Sequence, residues 1–181
     1  MIIHNIYIIN SDGICPLSIK LCSIDADPEI VAGVLSASQK FWEYITGEEP
    51  QSITFQNLKA HLKQFTTGEK IWYLVLILEL ENPELLKRVE KSILEVVMNN
   101  KEVFEKFIAD TSEISINVQN QIVEKLHCIP CPYLERKIFR PICLVNSEKV
   151  GMQHCTIIAA SACKEKIKEK VYKSKDTPIC S

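Results

Sequence analysis

Glycine is scarce here, five residues in 181, and that scarcity bears directly on function. A phosphate-cradling loop brings backbone N–H groups up to an anion on closely spaced glycines. This chain has little to build one from, and no Gly-rich phosphate loop is present. Histidine is sparse too: His4, His61, His127 and His154 are scattered, and none lies in a recognised catalytic motif. No apolar run reaches the roughly 20 residues that a membrane-crossing helix needs. The N-terminal stretch Met1–Asn10 is apolar but lacks a positive leader region and a small-residue cleavage site, so it reads as a strand. With no signal segment in view, the eight cysteines are expected as reduced thiols of a cytoplasmic protein. Disulfides would be expected only in an intracellular protein of a hyperthermophile, and eighteen Lys against three Arg do not decide that question.

Net charge is small, −2, but unevenly spread. Residues 128–181 sum to +5 and residues 1–127 to −7, which suggests two regions with different surroundings. A solvated helix face accounts for the mildly basic end more simply than nucleic acid does.

What the chain does have is a long apolar run at Lys70–Leu80, unbroken from Ile71 to Leu78. Such a run fits a strand covered on both faces in the middle of a sheet. Thr66-Thr-Gly68-Glu reads as a turn before it, and Asn82-Pro83-Glu84 as a helix start directly after. Ile2–Ile9 is a second β-rich run, closed by the turn Ser11-Asp12-Gly13. Ile14–Cys22 then alternates, with Cys15, Leu17, Ile19 and Leu21 on one face. Pro16 within that run places it at a sheet edge.

Asp27-Pro28-Glu29 is a helix start, with Asp27 as N-cap. Ile30, Val31, Val34, Leu35, Phe41, Trp42 and Ile45 follow as one apolar stripe, on a helix ending before Gly47. Ser52–Asn57 reads as a strand, and so does 60–66, although Leu58–Phe65 would equally make a short helix. From Pro83, a stripe running from Leu85 to Ile108 marks a helix of about 25 residues, with an interruption expected at Asn99-Asn100. A further helix is expected over 112–126. The order β-β-α-β-β-β-α-α predicts an α+β fold, a five-stranded antiparallel sheet of order 2-1-5-4-3 with helices packed on it.

This order of elements over residues 1 to about 127 resembles the longin-like domains. It is carried by the hairpin Ile2–Ile9 and Ile14–Cys22, the helix from Pro28, the strand triplet ending in Ile71–Leu80 and the helix from Pro83. Roadblock domains look similar but begin with a helix, which this chain does not. The resemblance implies a non-catalytic scaffold of vesicle trafficking and small-GTPase regulation, as in small subunits of clathrin adaptors, SNARE N-terminal domains and TRAPP subunits. It supplies no catalytic residues. The partners it implies are a Ras-like GTPase, another longin or roadblock chain, or a second copy of this one, with membranes reached only through them.

Residues 128–181 lie outside that resemblance. A short strand is expected at 140–145 and a helix over 156–172. Cys128 and Cys131 form a C-x2-C knuckle that could give zinc two thiolates, with a second pair drawn from Cys143, His154 and Cys155. No second C-x2-C matches it, so free thiols and a disulfide remain alternatives to structural zinc, the only cofactor in view. The alternative to a scaffold is a zinc module contacting nucleic acid or protein through the basic C-terminal segment, although Tyr133, Phe139 and Tyr172 form no aromatic platform for bases. A thiol-dependent enzyme is the third reading, because Cys128 and Cys155 each follow a histidine. Neighbours on a strand point to opposite faces, however, so that adjacency makes a poor nucleophile–base pair.

Overall fold

The computed structural model describes residues 1–21, 27–79, 82–107, 114, 116–127 and 129, and the backbone of two short strands at 134–135 and 142–143. Strands β1 (Ile2–Asn10) and β2 (Leu17–Lys20) form the opening hairpin, followed by helix α1 (Pro28–Thr46). Next come β3 (Ser52–Phe55), β4 (Leu58–Thr67) and β5 (Lys70–Glu79), then α2 (Pro83–Asn99), α3 (Lys101–Glu105) and α4 (Ile116–His127). A separate two-residue pairing joins β6 (Leu134–Glu135) to β7 (Ile142–Cys143). The main sheet is antiparallel with order β2-β1-β5-β4-β3, as the sequence predicts.

β1 and β5 sit at the centre because they are the most apolar strands and can lose both faces to packing. β4 is a strand and not the alternative helix: its ladder to β5 runs from Lys59↔Leu78 to Thr67↔Lys70 without a slip. The β1–β5 register shifts between Ile3 and Asn5, so β1 carries a bulge at His4. Met1 and Ile3 on one side of it, and Ile6 and Ile8 on the other, still reach the same core. His4 is buried with its Nε2 3.2 Å from Glu79 Oε2.

The helices cover both faces of the sheet. α2, α3 and α4 bury Val89, Ile93, Phe104, Val118 and Ile122 against Ile6, Ile8, Trp72, Leu74 and Leu76. Trp72 meets the rings of Phe104 and Phe107 edge-on and donates its indole N–H to Thr67 Oγ1 at 2.9 Å. The expected interruption of the long helix falls at Asn100, whose side chain turns back to Val96 O and across to Gln121 Oε1 on α4. α4 starts at Ile116, four residues later than predicted. Asn82 caps α2 by accepting the Leu85 N–H at 3.0 Å.

α1 lies on the opposite face, over Tyr7, Ile9, Ala60, Leu62 and Val75. Asp27 caps it by accepting the Glu29 N–H at 2.8 Å, and Gly47 (φ 73°) ends it. Two predictions need correction here. Only part of the expected stripe on α1 docks: Leu35 is buried, with Ala32 and Gln39 beside it, and Val31 packs partly against the same core, while Ile30, Val34, Phe41, Trp42 and Ile45 are exposed. The line through 32, 35 and 39 carries a small residue that lets the helix approach the sheet, and the bulky residues fall on other meridians. The strand expected over 14–22 contracts to Leu17–Lys20. Pro16 stays outside it, its carbonyl accepting the Ile114 N–H at 3.0 Å, and Cys15 packs on the α1 side instead of alongside Leu17.

Candidate functional site

The sheet is incomplete along one edge. β3 has four residues and β4 ten, so β3 pairs only with Leu58–His61. The Leu62 N–H still reaches Gln51 O at 2.9 Å. Backbone groups alternate sides along an antiparallel strand, so after Leu62 the next outward-facing ones belong to Gln64 and Thr66. Both residues are exposed, and on the side away from β5 no described strand pairs with them. An unpaired row of N–H and C=O groups is a template for an added strand.

A groove of about 490 Å³ opens beside this gap. Gln39, Glu49 and Tyr73 line it from the α1 side, and Leu86, Lys87 and Glu90 from α2. His61 on β4 is hydrogen-bonded through Nε2 to Glu90 Oε1, and both are largely covered. That pair fastens the edge strand to α2. Tyr73 donates its hydroxyl to Glu49 Oε1 at 3.2 Å. Burial, and next the neighbouring Glu49 charge, push the phenol pKa up to about 12.

The second surface is the outside of α1. Among the described residues, eleven large apolar side chains are exposed, and six of them sit on this helix: Ile30, Val34, Phe41, Trp42, Tyr44 and Ile45. Phe41 and Trp42 touch edge-on, 5.7 Å between ring centres. Past Gln39 no residue of α1 is buried.

Catalytic chemistry finds little support in this arrangement. His61 and Glu90 could act as base and orienter, yet among the described residues no hydroxyl or thiol is hydrogen-bonded to His61. Burial pushes the Cys15 thiol pKa up to about 12, which disfavours the thiolate that a nucleophile needs. Among the described residues no cluster of three His, Cys, Asp or Glu side chains could hold a metal. Cys128, Cys131, His154 and Cys155 lie outside the described residues, and Cys143 is placed only as backbone in β7, opposite Leu134. Also among the described residues, no helix is long and apolar enough to cross a membrane.

The edge gap is not visible in sequence because it depends on where β3 stops, and the His61–Glu90 pair because it joins residues far apart in the chain. The outer face of α1 did leave a signal. Phe41-Trp-Glu-Tyr-Ile45 holds more large apolar side chains than one buried meridian can take. Compared with known proteins, the chain matches no family model, and no curated protein matches it significantly.

Proposed function

We propose that this chain is a non-catalytic interaction scaffold that takes an extended segment of a protein partner at the open edge of β4. The observation that carries this reading is the row of outward backbone groups at Gln64 and Thr66, bordered by a groove with apolar and charged walls. A segment added there would gain ladder hydrogen bonds from the edge and side-chain selection from the groove. The longin-like order of elements suggests the class of partner: a small Ras-like GTPase, or a longin or roadblock chain of a trafficking complex. Among the described residues no hydroxyl or thiol is hydrogen-bonded to His61, which supports binding as the reading to test first.

The test uses Gln64→Pro. Proline removes an N–H that already points out of the sheet, so the ladder to β5 keeps its bonds, while an added strand loses one and meets the ring. Parent and variant are compared by pull-down from native lysate with mass spectrometry. Recovery of a Ras-like GTPase or a longin/roadblock chain by the parent, with at least a tenfold loss for a folded Gln64→Pro, is expected. Equal recovery by both removes the β4 edge from the interface, and turnover of nucleotide, ester or peptide by the purified chain overturns the scaffold reading.

A further inference from the structure

The geometry points to a second interface, separate from the β4 edge: the outer face of α1 binds the same face of a second copy of this chain, the two helices crossing antiparallel at Ala37–Ser38. At 100° per residue, Ile30, Val34, Phe41 and Ile45 lie within a sector of about 60°, roughly 140° around the helix from the buried line of Ala32, Leu35 and Gln39. They are symmetric about the Ala37–Ser38 peptide, Ile30 mirroring Ile45 and Val34 mirroring Phe41. A two-fold interface requires that self-complementarity, since each residue must meet the counterpart of its own mirror position. Crossing antiparallel, Ile30 packs against Ile45 of the partner subunit and Val34 against Phe41 of the partner subunit. The small residues Ala37 and Ser38 lie at the crossing, where the backbones come closest.

Two further observations fit a second copy. The first is area. With about 200 Å² as the full surface of a large side chain, the exposures of Ile30, Val34, Phe41, Tyr44 and Ile45 leave roughly 650 Å² open. That is at least as large as the largest apolar patch of an ordinary monomer, about 300–600 Å², and is most of the ~800 Å² that each partner gives to a stable interface. The second is Gly33, in the second turn of α1 on the flank shared with Tyr44. A Cβ there would meet nothing within 4 Å, so the folded chain does not need a glycine at that place. Glycine disfavours the helix relative to other residues. In the antiparallel pair the open space over Gly33 receives Tyr44 of the partner subunit, whose equivalent here is 91% exposed.

Gly33→Gln separates this interface from folding. It restores helix propensity and so stabilises the monomer, while it fills the space that Tyr44 of the partner subunit needs. Sedimentation equilibrium over a concentration series is expected to give the parent twice the chain mass, with Kd of about 10 µM or tighter. Gly33→Gln should raise that Kd at least tenfold, and Ala37→Arg at the crossing should leave only monomer, while Gln64→Pro dimerises as the parent does. A parent that stays monomeric throughout overturns the interface, as does a dimer whose Kd neither Gly33→Gln nor Ala37→Arg changes. Dispersal by Gln64→Pro would also overturn it, by assigning self-association to the β4 edge.

Discussion

The two faces of the sheet are built differently. Among the described residues, twenty-four buried apolar side chains form the core under α2, α3 and α4, against seven under α1. On the first face the helices bury most of their apolar surface, leaving one large apolar residue exposed on each of α2, α3 and α4 (Met98, Val103 and Ile116): α2 buries Leu85, Leu86, Val89, Ile93, Val96 and Val97. On the second, α1 buries three residues and leaves six large apolar ones in solvent. One face carries most of the core, and the other leaves much of its hydrophobic surface exposed. Apolar content alone does not report stability; the side of the helix that carries it does.

Core substitutions give the largest expected difference between the faces. Trp72→Ala removes a fully buried ring, its contacts with Phe104 and Phe107 and its bond to Thr67, and should cost about 4 kcal/mol. Leu35→Ala, on the α1 side, should cost about 2 kcal/mol, because a thinly packed site collapses more easily around the space. Urea unfolding with matched m-values measures both, and equal losses would erase the distinction between thick and thin faces.

Alkali should separate the faces next. Cys15 and Tyr73 both pack on the α1 side, and burial raises the pKa of each to about 12 from ordinary values of 9.0 and 10.0. A raised pKa means that the folded state holds its proton where the unfolded chain has lost it. Their contribution is therefore full below about pH 9 and lost as pH rises toward about 12. Amide exchange followed from pH 9 upward should show α1 loosening before α2, and Cys15 should resist alkylation until it does. Loss of both helices together would make the two faces one cooperative unit.

The smallest effect is expected on the outside of α1. Phe41→Gln, measured at dilutions where the chain is monomeric, should move stability by no more than about 0.5 kcal/mol, large as the side chain is. A loss comparable with that of Leu35→Ala would mean that Phe41 supports the fold.

The same contrast explains what could be read in the sequence. Where packing is two-sided the pattern is unambiguous: the Ile71–Leu78 run, the caps Asp27 and Asn82 and the break at Asn100 all lie where their chemistry puts them. The sheet order follows from short hairpins and two apolar strands that must meet. On α1 the pattern is degenerate. Adjacent pairs such as Val34-Leu35 place apolar residues on two meridians, and periodicity cannot tell which one meets the sheet. The β4 edge is illegible for another reason, since it depends on where β3 stops relative to a strand it pairs with. Strand β2 is shorter than its pattern predicts because alternation continues through Pro16 while the pairing does not.

The bulge at His4 has a consequence for how the chain can change length. Two residues of β1 oppose one of β5 there, so the strand holds one residue more than its ladder uses. Deleting a residue inside the regular part, at Ile6 for example, would turn one flank of the strand over and carry core side chains to the wrong face. Deleting position 4 would instead restore an unbroken alternation, with Met1, Ile3, Ile6 and Ile8 all still facing the α2 side. The most buried strand of the sheet therefore contains one place where a residue can be gained or lost without inverting its neighbours. The residue held in that place is the one that reaches across to Glu79.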